Sequence, residues 1–84
     1  MEEKEIGKIE KYFSHVGVGI IELTADLKVG DAIHIKGHTT DFSQMVESMQ
    51  VEHSPVDKAS SGSSVGIKAK EKVRPGDKVY LIME

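Results

Sequence analysis

The chain has 84 residues and a formal charge of −3, from 11 basic and 14 acidic side chains, enough for one small domain, residues 1–84, with no room for a second fold. It has no cysteine, which excludes disulfides, thiolate metal sites, iron–sulfur ligation and cysteine nucleophiles together. The acidic start, Met1-Glu2-Glu3-Lys4-Glu5, is unlike a secretion leader, and no apolar run nears the ~20 residues that span a bilayer. The expectation is a cytoplasmic chain with no membrane partner. Ile and Val number 17 against three Leu, and β-branched side chains favour a pleated surface over a helix, so the domain should be all-β.

In chain order, a short segment from Ile6 to Ile9 opens the sheet. Residues 16–23 place Val16, Val18 and Ile20 on one face with Gly17 and Gly19 opposite, which reads as a curved strand with the valines inward. Ala32–Lys36 alternates Ile33 and Ile35 against His34 and Lys36. From Phe42 to Val51 the apolar parity changes between Val46 and Met49, and a β-bulge near Ser48 would turn both inward. His53–Ser64, with Pro55, Gly62 and five serines, reads as a crossing loop. Val65, Ile67 and Ala69, then Val79, Leu81 and Met83, complete the period-2 pattern. The expected core is Val18, Ile20, Ile33, Ile35, Val46, Val65, Ile67, Val79 and Leu81.

Two turns repeat one another, Val29-Gly30-Asp31 and Pro75-Gly76-Asp77, each followed by a strand. In the second, Pro75 presets φ and Gly76 accepts positive φ, as a type II turn demands, and both aspartates are placed to accept backbone N–H bonds. Short strands at this spacing suggest a closed or nearly closed barrel, because a small open sheet would expose two pairing edges.

Few residues form a catalytic pattern. His34 and His38 would converge on a metal from a helix, but a strand end and the Gly37 turn separate them, so no metal is expected. His53, Ser54 and Asp57 are neighbours in one loop, which does not build a proton relay. Ser60-Ser61-Gly62-Ser63-Ser64 lacks the lysine and second glycine of a phosphate-cradling loop. The expectation is a chain that is not an enzyme and takes no cofactor.

Lys68, Lys70, Lys72 and Arg74 alternate with Ile67, Ala69 and Val73. A continuing strand would line the four cations along one face, able to follow a phosphate backbone. With one arginine, no interleaved aromatic and net negative charge, neither base-specific recognition nor DNA binding is expected. Tyr80, opposite in parity to Val79 and Leu81, is an exposed contact candidate.

Leu27-Lys28-Val29-Gly30-Asp31-Ala32-Ile33-His34-Ile35, the run from Val46 through Ser48, Met49, Gln50 and Val51 to Ala59, Gly62, Val65 and Gly66, and the closing Val73-Arg74-Pro75-Gly76 together resemble the domain II β-barrel of translational GTPases, the elongation factors. The resemblance covers about Gly7 to Leu81. It implies a single six-stranded antiparallel β-barrel of the translation-protein type that contacts tRNA or ribosomal RNA, or a protein of the translation apparatus. Gln50 falls where that family places a glutamate facing the tRNA terminal nucleotide. The RNA-binding candidates are therefore Lys68, Lys70, Lys72, Arg74, Gln50 and Tyr80. Similar barrels also end collagenase-like peptidases, which gives the alternative of a protein-interaction or accessory domain for a separate enzyme.

Overall fold

A computed structural model describes residues 2–83, and every element in it is a β-strand. The strands are β1 (Glu2–Phe13), β2 (Val18–Leu23), β3 (Leu27–Lys28), β4 (Ala32–Lys36), β5 (Asp41–Met45), β6 (Met49–Val51), β7 (Ser54–Val56), β8 (Lys58–Ala59), β9 (Ser64–Lys68) and β10 (Lys78–Met83). Eight form one antiparallel sheet in the order β5-β4-β10-β1-β2-β9-β6-β7, while β3 pairs with β8 in a small second sheet. The all-β, antiparallel expectation is met. The six-stranded closed barrel is not what the pairing shows: among the described residues no ladder joins β5 to β7, so the large sheet remains open at both ends.

The period-2 pattern decides what each strand buries. Ile33 and Ile35 on β4, Val65 and Ile67 on β9, and Val79 on β10 point inward as expected, joined by Ile6, Ile9, Ile21, Leu23, Leu27, Phe42, Met49 and Val73. Each fully buried aliphatic side chain of this kind contributes about 1.5–3 kcal/mol. Val46 and Met49 are both buried, because the run breaks over residues 46–48 and restarts as β6. The expected change of parity near Ser48 is thus a break between two strands.

The parity of β2 is the reverse of the expectation. Val18 and Ile20 lie half-buried on the outer face, Val16 is exposed, and Gly19, Ile21 and Leu23 face the core. The cause is Val73, which packs over Gly19: a β-carbon there would lie 3.2 Å from Val73 Cγ2 and 3.7 Å from Ile9 Cδ1. Glycine makes room on the inner face for the segment after β9, and the larger valines go outward. Leu81 is only half-buried, at the rim of a depression it shares with Leu27 and Ala59.

Residues 53–64 also differ from the expected loop, since they contain β7, β8 and the start of β9. The connection from β6 to β7 is a two-residue hairpin, with Val51 opposite Ser54 and positive φ at Glu52 (51°) and His53 (67°). Such a turn matches the twist of the strands it joins and usually recruits Asn and Gly, which explains why Glu-His gave no hairpin signal.

The repeated turns behave as their residues demand. Gly30 and Gly76 have φ of 99° and 95°. Asp31 Oδ2 accepts the Lys28 N–H at 3.1 Å, and Asp77 Oδ2 accepts the Arg74 N–H at 2.9 Å. The second turn docks on β1 through Gly76 N–H to Ile9 O (2.8 Å) and Ile9 N–H to Asp77 O (2.7 Å), beside the register shift between Ile9 and Lys11.

Candidate functional site

The six residues expected to bind RNA do not form one surface. The strand carrying Lys68 ends there, and Lys70, Lys72 and Arg74 follow in bends and loop, so the continuous cationic row is lost. All four side chains remain exposed. Gln50 is exposed on the outer face of β6 opposite Gly66, two residues before Lys68. Tyr80 lies elsewhere: β1 and β2 separate β10 from β9, and Tyr80 is half-buried between Glu5 and His34 in the ladder.

The surroundings of Tyr80 are acidic. His34, 6.4 Å away ring to ring, is bracketed by two carboxylates, Glu3 on β1 at 2.9 Å from Nδ1 and Asp41 on β5 at 2.5 Å from Nε2. The hydrogen bonds to Asp41 and Glu3 raise the His34 pKa above its ordinary 6.5. The same bond from His34 lowers the Asp41 pKa below 3.8. This cluster clamps β1, β4 and β5 together across the outer face, and a polyanion would meet carboxylates there. Its two imidazole nitrogens face different carboxylates, and no three His, Asp or Glu groups among the described residues are placed to hold one metal ion.

The residues that do converge lie where the open sheet curls back on itself. A groove of about 630 Å³ runs between Gln44 and Met45 of β5, Glu47 and Ser48 of the following link, and Ile67–Lys70 at the end of β9. The Gln44 carboxamide spans it: Nε2 donates to Lys68 O at 2.9 Å and Oε1 accepts the Lys70 N–H at 2.6 Å. On its other side the same stretch of β9 is satisfied by β2, with Val18 opposite Lys68 and Ala69 N–H donating to Gly17 O at 2.8 Å. One side-chain amide therefore occupies the place of a strand. Met45, 53 % exposed, offers an apolar wall, and Lys68 and Lys70 stand at the rim.

Sequence reasoning missed Gln44, although a signal exists. Phe42, Gln44 and Val46 share one parity, and the outer two are buried, so a long polar side chain occupies an inward position. Such a residue needs partners, and it finds them on β9.

No family model matches the chain. It is 46 % identical over 81 residues to an uncharacterised protease of Methanocaldococcus jannaschii, a match covering 95 % of this chain and 20 % of that protein. It is also 46 % identical over 77 residues to a collagenase of Porphyromonas gingivalis, covering 89 % of this chain and 21 % of the collagenase. The chain thus spans about a fifth of the length of the curated relatives it matches. Its fold superposes with a TM-score of 0.89 on the C-terminal domain of a Geobacillus thermoleovorans protein assigned to the U32 peptidases, at 19 % identity, over 95 % of this chain and 93 % of that one. These matches overturn the resemblance to elongation-factor domain II, and with it the translation and RNA-binding reading: the chain is similar in sequence to part of a protease and of a collagenase, and in fold to the C-terminal domain of a U32 peptidase.

Proposed function

We propose that this domain is a noncatalytic accessory module of a collagenase-type peptidase, contacting polypeptide through the groove between β5 and β9. The observation that carries this reading is the 46 % identity spread over 95 % of the chain while covering only 20 % of a protease. A protein of that kind holds a counterpart of this domain as a minor part beside a much larger remainder. The chemistry of the surface supports binding over catalysis. His34, the histidine with the best-defined partners, is engaged by two carboxylates and by no nucleophile. The groove, by contrast, combines backbone groups held only by the Gln44 side chain with an exposed methionine and lysines, the components of a polypeptide contact. Lys68 and Lys70 serve here as the cationic flank of that contact, and Lys72, Arg74, Gln50 and Tyr80 fall outside its lining.

The test compares the catalytic part of a related peptidase with and without this domain, on a long unstructured polypeptide and on a short peptide. The domain should lower KM for the long substrate, leave kcat on the short one unchanged, and cleave neither by itself. Cleavage by the domain alone, or an unchanged KM for the long substrate, refutes the reading.

A further inference from the structure

The ladder on β9 is complete on one side and improvised on the other. Gly66 pairs with Gln50 of β6, and β6 supplies no partner beyond Ile67. The next outward backbone groups, Lys68 C=O and Lys70 N–H, are an acceptor and a donor flanking Ala69, and both are held by the Gln44 carboxamide. A single amide that donates to one residue and accepts from the residue two positions on reproduces the bonds made by one residue of a neighbouring extended chain. Among the described residues, Glu47 and Ser48 on the facing wall of the groove make no backbone–backbone hydrogen bond.

We infer that this groove takes an extended polypeptide segment by strand addition to the Lys68–Lys70 edge, the incoming backbone replacing the Gln44 carboxamide. The inference rests on the accessory-module reading and names the ligand class of that site: an extended, acidic and apolar segment of a polypeptide. The chemistry of the edge sets the first requirement. Backbone pairing selects for extended conformation and for free N–H groups, whatever the sequence. The walls set the second, since exposed Met45 on one side offers apolar contact while Lys68 and Lys70 attract carboxylates. Glu47, in the link after β5, disfavours an acidic residue beside that wall, so the negative charges fall toward β9. Gln44 has two roles. It protects an edge that would otherwise be free to pair with any strand, and its displacement makes the interaction reversible.

The probe is a capped peptide of alternating aspartate and valine, titrated into the isotope-labelled domain and followed by NMR. The Lys70 backbone N–H and the Gln44 side-chain amide resonances should shift first. Replacing Gln44 with Ala should tighten binding about three- to tenfold, because two hydrogen bonds no longer have to be broken, and a gain of affinity cannot come from misfolding. A twin peptide N-methylated at alternate positions should lose binding, a lysine–valine twin should bind worse, and added salt should weaken the aspartate peptide. The inference is overturned if the methylated and unmethylated peptides bind alike, or if the Gln44→Ala change leaves affinity unchanged. It is also overturned if an RNA oligomer binds the same lysines without moving the Gln44 amide, or if the free chain dimerises through this edge. Should the strand-addition signature be missing while the domain still lowers KM for long substrates, this inference fails and the accessory-module reading stands. If the signature is present and KM is unmoved, the reverse holds.

Discussion

Replacing Gly37 with Ala tests how the second aspartate turn is locked to the sheet. A β-carbon built on Gly37 overlaps Asp77 Oδ1 and lies 2.5 Å from Asp77 Cγ and 3.3 Å from its Cβ. Asp77 is 5 % exposed and accepts the Arg74 N–H at 2.9 Å. Two routes relieve the overlap. Swinging the carboxylate away leaves the Arg74 N–H without its partner and the carboxylate without its bond, at about 1–3 kcal/mol. Shifting the turn strains the pair of bonds between residues 76–77 and Ile9, at 2.8 and 2.7 Å, for about 1 kcal/mol each. Both routes cost about 2 kcal/mol, which for a domain of this size lowers Tm by roughly 8–16 °C. Asp77→Ala alone should cost about 1–2 kcal/mol through the lost turn bond. In the double variant the overlap is gone, so Gly37→Ala should add nothing, or stabilise slightly by restricting the unfolded chain. Thermal and urea unfolding of the four proteins closes the cycle, with an expected coupling of about 2 kcal/mol. Additivity of the two changes within about 0.5 kcal/mol would show that Gly37 is not there to admit Asp77.

Three further predictions follow from the same geometry. Ile67→Ala should cost about 2–5 kcal/mol, since Ile67 is 2 % exposed between Gly19 and Met49, and chemical denaturation measures it; a loss under about 1 kcal/mol would mean that the site collapses around the smaller side chain. The His34 clamp makes stability pH-dependent. The raised His34 pKa contributes stability fully present below 6.5 and lost as pH rises through the raised value, while the lowered Asp41 pKa contributes stability present above 3.8 and lost on further acidification. His34→Asn should therefore lower Tm most between these two values and have no effect through this clamp in alkaline solution, and a deficit equal at all pH would refute the clamp. Changing Glu52 to Asn and His53 to Gly should raise stability by about 1–2 kcal/mol, because both residues sit at positive φ; a fall in Tm would mean that these side chains make contacts that outweigh the backbone strain.

The parts of the fold legible in the sequence are those set by local chemistry. The aspartate turns needed only their own residues, and β4, β9 and the start of β10 needed only alternation. The parity of β2 was hidden because Ile20 and Ile21 are adjacent, so either face reads as apolar, and the choice is made by Val73, distant in sequence, against Gly19. The β6–β7 hairpin was hidden because Glu52 and His53 adopt a turn that other residues favour. The basic residues were found and their exposure is real, but the cationic row assumed that β9 continues past Lys68. It stops there, where the pairing with β6 has run out and on that side the Gln44 carboxamide takes its place. The elongation-factor resemblance rested on the order of turns and strands, which unrelated small β-domains can share. Only the match in sequence to proteases distinguished them.

The place of β10 has a consequence for how the domain forms as it is synthesised. Residues 78–83 lie in the middle of the large sheet, with β4 on one flank and β1 on the other, and Glu2 pairs with Met83. Within this domain, the last strand in sequence joins the first to the β4–β5 hairpin. Until β10 is made, the large sheet can exist only as two separate parts whose inner edges, on β1 and β4, are both unpaired. The final six residues of the described chain thus close the longest loop in the molecule at the moment they zip the halves together, which makes this a late and slow step in folding. Chains halted before residue 78 should expose two sticky strands, and are the form of this protein most dependent on chaperones.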